Sequence, residues 1–470
     1  MRFLVFVLSL SALAQEHRRL FLDALLVEEQ QGLERRFHPL KKHAANPILV
    51  ADTSCEQGGS GPYLYGTVLE DEGKLRMWYH YINKGYRNAY AESTDGIHWT
   101  KPDLGIHGCN EVVALNTNPE ENPPQRERGE CHNPSVIRLP DNRYAPNKYA
   151  MFCFGADYGK VRVAFSPNGF RWTFLPETAQ KGLFESSDVV NFFHDPYSQQ
   201  YVATWKGSTR RGRSAGIAVS KNALHWSKPL DAPIFTADDL DPPDTQIYGM
   251  PVFPYEGLYI ALPWIYHAQS HYTPEMRMTR AEAEAQSPRT VDVQLAWSWD
   301  LLHWSRPPRR TPFLPTGAPG AFDSHMVFTS RAPVEMNNQL YFYYGGFHLP
   351  HDVKQTGGAI GLATLRKDGF CSMHAGAQEG SLVTRREALT VPALTINAVT
   401  GAGGEIRAEL LDTHNNVIAG FSRNESIPFT GDATGHVLRW RSAAFSTAQK
   451  TTVKKIRFLL RNADLYSYIP

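Results

Sequence analysis

Acidic side chains in this 470-residue sequence recur at one place in its pattern, just ahead of short apolar runs that read as strands. Asp52 and Glu56 precede the run at 63–69, Glu130 with His132 and Asn133 the run at 134–137, and Asp188 the run at 189–193. Asp241 and Asp244 precede 247–253, and Asp323 with His325 precedes 326–329. Carboxylates crowded into a low-dielectric mouth have their pKa values pushed apart, so that one keeps its proton while another is ionised. Cleavage of a glycosidic bond requires such a pair. Glu56, Asp188, Asp244 and Asp323 are therefore the catalytic candidates. Asp323 or Asp244 would donate the proton, and Glu56 or Asp188 would act as base or nucleophile. For Asp244 and Asp323 the competing role is to cap the turn before the strand, and for Asp188 and Glu56 it is a salt bridge or a turn.

Around them, Glu130, His132, His267, His325 and His351 are candidates to hydrogen-bond a substrate. Tyr248, Trp264, Phe322 and Tyr343 are candidates to stack on a ring, with core packing as the alternative. Two or three of these histidines with an Asp in one funnel would suffice for a divalent ion. No local spacing marks a metal-ligand set, however, so no metal or other cofactor is assigned.

Such scattered residues meet only if a repeated scaffold gathers them, and a repeat is visible. A small polar residue, turn formers and Trp recur as Ser93-Thr94-Asp95-Gly96-Ile97-His98-Trp99 and as Ser166-Pro167-Asn168-Gly169-Phe170-Arg171-Trp172. Further copies are Ser220-Lys221-Asn222-Ala223-Leu224-His225-Trp226 and Ser298-Trp299-Asp300-Leu301-Leu302-His303-Trp304, with an eroded fifth at Lys367-Asp368-Gly369-Phe370. Each follows an apolar-alternating run. Asp or Asn closing its own backbone, with Gly at positive φ, predicts a hairpin turn. The Trp is expected to pack on the neighbouring repeat. Five units of roughly 55–80 residues predict a five-bladed β-propeller, in which the first strand of every blade lines a central channel.

The expected organisation is a signal peptide over 1–14, a lead-in over 15–45, the propeller over 46–375 and a C-terminal β-sandwich over 376–470. A basic start, an apolar run over 3–13 and Ala12-Leu13-Ala14 ahead of Gln15 form the secretory pattern, which implies a secreted or periplasmic protein. After residue 376 strand alternation continues without the turn-Trp phrase. The segments 104–130 and 267–290 are too long for hairpins and are expected to cross one face of the disc.

Lys and Arg number 48 against 47 Asp and Glu, a balance that points to neither a nucleic-acid nor a membrane partner. Five cysteines lack any CxxC spacing, which argues against a zinc ribbon. Cys109 and Cys131 are the first pair to test as a disulfide, the alternative being that most are small buried residues.

Several runs carry a resemblance: Pro47-Ile48-Leu49, Tyr65-Gly66-Thr67-Val68, Arg76-Met77-Trp78-Tyr79, Asp244-Thr245-Gln246-Ile247-Tyr248-Gly249-Met250-Pro251-Val252, the run 253–259, Gly320-Ala321-Phe322-Asp323-Ser324 and Tyr343-Tyr344-Gly345-Gly346. With these, residues 16–470 resemble the secreted bacterial five-bladed propeller proteins of the glycosyl hydrolase family 32- and 43-like group, C-terminal sandwich included. The resemblance implies a propeller glycoside hydrolase acting on a poly- or oligosaccharide. It does not place each carboxylate. The Arg-Asp-Pro triplet of the invertases is absent, His194-Asp195-Pro196 being the nearest, and Asp188 stands where arabinanases carry a Glu. Two other readings compete with hydrolysis. One is a carbohydrate-binding propeller without catalysis; the other is a polysaccharide lyase using Tyr248 or Tyr343 with a His.

Overall fold

The computed structural model describes the chain except residues 1–16, 84, 106–108, 113–130, 156–158, 175–181, 243, 269–288, 352, 387–392 and 445–454. The signal sequence, Glu130 and most of the two long excursions therefore lie outside the described residues. The described residues contain strands and turns and no helix, and divide into two compact units.

The first unit, running from Leu40 to Thr364 apart from 337–339, is a five-bladed β-propeller. Blade one is Tyr63–Asp71, Lys74–Ile82 and Tyr86–Ser93, extended by a bridge from Glu92 to Thr100. Blade two is His132–Arg138, Tyr149–Gly155, Lys160–Ser166 and Thr173–Phe174, and blade three is Val190–Asp195, Gln200–Thr209, Gly212–Ser220 and Trp226–Ser227. In blade four each of the three long strands is interrupted: Thr245–Gly249 resumes as Val252–Tyr255, Leu258–Ala261 as Trp264–His267, and Thr290–Val293 as Ala296–Ser298. The expected continuous strands break at Pro251 and Pro263, which have no N–H for the ladder. Their carbonyls still accept, from Leu262 N at 2.9 Å and Gln294 N at 3.0 Å.

Blade five is Met326–Thr329, Gln339–Phe347 and Ala359–Arg366, and its outer strand, Lys41–Lys42, comes from the lead-in. The ring closes through a shared core in which Leu64, Met77 and Tyr79 of blade one pack with Tyr343, Ile360 and Leu362 of blade five.

The turn phrase repeats atom for atom. Ser93, Ser166 and Ser298 Oγ each accept from the backbone N–H three residues on, at 2.8 to 2.9 Å. Asp95, Asn168, Asn222 and Asp300 each accept from the two N–H groups at the second and third positions after them. Gly96 and Gly169 hold positive φ, and Ala223 and Leu301 adopt the same left-handed conformation without glycine, at φ 64° and 67°. Three of the four Trp rings meet the preceding blade: Trp99 meets Tyr343, Trp172 meets Trp78 and Trp226 meets Phe152, at centroid distances of 5.3 to 6.5 Å.

In the second unit Arg19–Leu20, Val27–Gln31 and Glu34–Phe37 pair with Lys455–Ile469, Gly380–Thr384 and Cys371–Ala375. The lead-in up to residue 39 thus belongs to this unit, which resumes at Leu365, ahead of the expected boundary at 376. Thr395–Leu411 pairs with Lys455–Ile469 across two bulges, and Ile396, Ala398, Ile406, Ala408, Phe458 and Leu465 on either side of the bulges share one core. Bulges bend a sheet, and the residues on both sides of these bulges face one core.

The expected Cys109–Cys131 disulfide is not formed. Cys109 bonds Cys55, with Cα atoms 6.5 Å apart, and Cys131 bonds Cys153 at 5.3 Å. The antiparallel pairing of His132 with Phe154 brings Cys131 beside Cys153 and so decides the partner. Cys371 is free and buried, its thiol pushed up to about 12 by that burial.

Candidate functional site

The inner strands converge where one ring touches three other blades. Tyr65 of blade one lies 5.6 Å from His132 of blade two, 6.4 Å from Tyr248 of blade four and 4.7 Å from Phe328 of blade five, centroid to centroid. His80 stacks on His132 at 5.2 Å and sits 3.9 Å from Tyr63. His80 is fully buried and neither ring nitrogen has a hydrogen-bond partner among the described residues. Burial drives its pKa well down, and His132 is lowered by the same cause against the pull of Asp188. Both rings are neutral at pH 7.

Blade three brings the carboxylate. Asp188 stands just before the inner strand, where its backbone carbonyl lies 2.6 Å from His132 Nδ1. Its side chain forms an ion pair with Lys206, which rises from the neighbouring strand and is only 7% exposed. Burial alone would push the Asp188 carboxyl up. The Lys206 ammonium, with hydrogen bonds from Lys206 and Ser187, outweighs this and holds it below the usual range. The Lys206 Nζ also sits 4.4 Å from the centre of the Tyr248 ring. Arg213 lies 5.6 Å from that ring and 4.9 Å from Tyr266, and its Nη1 donates to Gln246 Oε1 at 2.8 Å. Tyr248 Oη and His351 Nε2 are 3.2 Å apart. Burial raises the Tyr248 phenol, against a hydrogen bond from Tyr65, so the phenol keeps its proton at neutral pH. Asp188, Lys206, Arg213, Trp205, Glu185 and Lys228 line a cavity of about 660 Å³.

The four catalytic candidates do not share this cavity; Asp188 alone of them lines it. Glu56 is fully buried and accepts from Tyr79 Oη at 2.7 Å, Thr53 Oγ1 at 2.9 Å and Lys101 Nζ at 2.7 Å, the last shared with Asp52. Asp323 is 2% exposed and accepts from Lys42 Nζ at 2.5 Å and Tyr344 Oη at 2.9 Å. Both are scaffold ion pairs, because a buried carboxylate without a cation would be too costly. Asp244 is exposed, at φ 66°, in the turn ahead of blade four. Asp241 forms a bidentate pair with Arg306.

Of the substrate candidates, His132, Tyr248 and His351 meet around Asp188. Trp264 is fully buried beneath Tyr65 and donates to Thr329 Oγ1 at 3.1 Å, so no face is open for stacking. Tyr343 is likewise buried and donates to Gly96 O at 2.9 Å. Phe322 stacks on Tyr344 within blade five. His267 pairs with Asp292 at 2.8 Å, and that hydrogen bond raises its pKa against burial. His325 Nδ1 lies 3.2 Å from Ser324 Oγ. Among the described residues no group of three or more His, Cys, Asp or Glu is arranged to hold a metal ion.

Sequence reading missed Lys206, Arg213, Lys228 and Glu185. Lys206 carried a signal: a charge that continues the apolar run 201–205 is seldom buried unless paired.

No family model matches the chain, and no curated protein does. Solved structures that match include a thermostable family-43 glycoside hydrolase, 16% identical over 70% of this chain and 95% of that one, at a TM-score of 0.42. A β-1,2-mannobiose phosphorylase from Listeria innocua is 13% identical over 70% and 97%, at 0.44. A family 32 β-fructofuranosidase from Bombyx mori is 10% identical over 92% and 93%, at 0.39. These are likenesses of fold, to propeller glycoside hydrolases and a phosphorylase; the chemistry of this chain is a matter for its own side chains.

Proposed function

We propose that the protein is a secreted glycoside hydrolase that acts on a poly- or oligosaccharide at the mouth of the propeller channel. The observation that carries this reading is Asp188, a carboxylate kept ionised by Lys206 at the edge of an aromatic channel and open to a cavity large enough for sugar rings. An ionised carboxylate there serves as the base that activates water, or as the nucleophile. The proton for the leaving oxygen comes from Glu185, the second carboxyl of the same cavity. His132 orients Asp188 through its backbone carbonyl. The two disulfides support export, since such bonds persist in oxidising compartments.

The test is release of reducing ends from a panel of neutral and acidic polysaccharides, with anomeric configuration followed by NMR. Activity that survives Asp188→Asn at full rate, or binding without release on every substrate, overturns the reading. N-terminal sequencing of the exported protein is expected to begin at Gln15.

A second reading, β-elimination from a uronate polymer, is favoured by the Tyr248–His351 contact beneath Lys206 and Arg213. Tyrosine and histidine would move the protons while the cations neutralise the carboxylate. It requires an unsaturated, ultraviolet-absorbing product and loss of activity in Tyr248→Phe. Hydrolysis yields no such chromophore.

A further inference from the structure

The cavity beside Asp188 holds more positive charge than its carboxylates use. Lys206 is matched by Asp188. Arg213 and Lys228 have no carboxylate partner among the described residues. Arg213 spends Nη1 on the neutral Gln246 and lies against Tyr248 and Tyr266, while Lys228 donates to the Glu185 carbonyl at 3.0 Å and sits 3.9 Å from the centre of the Trp205 ring. A guanidinium fixed against two aromatic rings keeps the rest of its fork of donors in one orientation. Lys228 is exposed and held over the Trp205 ring at the cavity wall, with donors of its ammonium left for a ligand. Because the chain as a whole is nearly neutral, this excess belongs to the cavity and not to a general basic surface.

We propose that Arg213 and Lys228 form an oxyanion subsite that holds a carboxylate or sulfate borne by the sugar, so that the substrate is an acidic saccharide. The inference rests on the proposed carbohydrate function and adds the class of sugar. Bidentate recognition by a guanidinium is the geometry that distinguishes a planar carboxylate from a hydroxyl. The same donors would accept free inorganic phosphate, which would make the anion a co-substrate and not part of the sugar.

The test is equilibrium binding to the full-length protein by calorimetry, which reads the subsite without catalysis. Oligogalacturonate and a sulfated oligosaccharide are compared with their carboxyl-reduced and desulfated counterparts, and inorganic phosphate is titrated with and without a neutral oligosaccharide. At least one acidic ligand is expected to bind tenfold or more tighter than its neutral counterpart. Arg213→Gln and Lys228→Met should each weaken the acidic ligand far more than its neutral counterpart and so erase most of that margin, and added salt should narrow it. Equal binding of acidic and neutral ligands overturns the subsite and leaves the carbohydrate reading standing. Phosphate that binds at the same residues and raises neutral-sugar affinity overturns the sugar-borne anion in favour of a free one. Absence of binding to every saccharide sinks both the subsite and the function it rests on.

Discussion

Asp188 and Glu56 are both carboxylates beside a lysine, yet their surroundings give them opposite roles. Asp188 is partly open to a cavity, its ionisation set by Lys206 against the pressure of burial. Asp188→Asn is expected to lower kcat by about 10²- to 10⁴-fold with the thermal midpoint little changed, as read by steady-state kinetics beside calorimetry. Lys206→Met removes the charge that holds the carboxyl down. The acid limb of the kcat/KM profile should then move to higher pH. The sign for stability follows from the depressed folded pKa. The pair stabilises the fold above the ordinary carboxylate value of about 3.9, and that contribution is lost as pH falls through the folded value. Glu56, sealed from water with Lys101, belongs to the scaffold. Glu56→Ala leaves Lys101 with only the exposed Asp52 and the buried Tyr79 hydroxyl without its acceptor, and should cost about 3–5 kcal/mol in urea unfolding, while the folded fraction keeps its rate on saccharide.

At the scale of elements, the hairpin phrase and the closing strand differ in how far they can be read. The phrase is local: a hydroxyl, an Asp or Asn and a Trp within seven residues contain all the bonds that shape the turn, and so its copies are visible in the sequence. It even survives without glycine, at a cost of about 1–2 kcal/mol for a left-handed Ala223 or Leu301. The outer strand of blade five is not local. Lys41–Lys42 pairs with Ala363 and Thr364, and Asn46 closes the join by donating to Leu362 O at 2.9 Å and Tyr344 Oη at 3.1 Å and accepting from Leu362 N at 2.7 Å. Nothing in the pattern of residues 40–46 announces a partner 316 positions away. Asn46→Ala is expected to lower stability by about 1–3 kcal/mol, read as a fall in the urea midpoint at unchanged m-value.

The whole molecule is bound by covalent as well as packing constraints. The Cys55–Cys109 bridge closes 54 residues and Cys131–Cys153 closes 22, both within the propeller unit. Serine in place of both cysteines of the first bridge should lower stability by about 2–5 kcal/mol. A reducing agent should lower the thermal midpoint of the native protein but not further lower that of a variant lacking both bridges.

The sequence by itself determined the class of the fold, the number of blades and the turn that leads to the outer strand in blades one to four, because strand alternation and Asx turns are set by neighbours in the chain. It also brought His132, Asp188, Tyr248 and His351 forward as candidates, three of them sitting at or just ahead of inner strands. Which acids face the channel was a tertiary decision. Side-chain direction where a strand begins depends on the preceding turn, and a buried carboxylate goes wherever a cation meets it. Glu56 was captured by Lys101, 45 residues on, and Asp323 by Lys42, 281 residues back. Only the pairing of strands within blade three, which sets Gln200–Thr209 and Gly212–Ser220 beside the residues ahead of Val190–Asp195, left Asp188 with a cavity before it and Lys206 and Arg213 on the same lining.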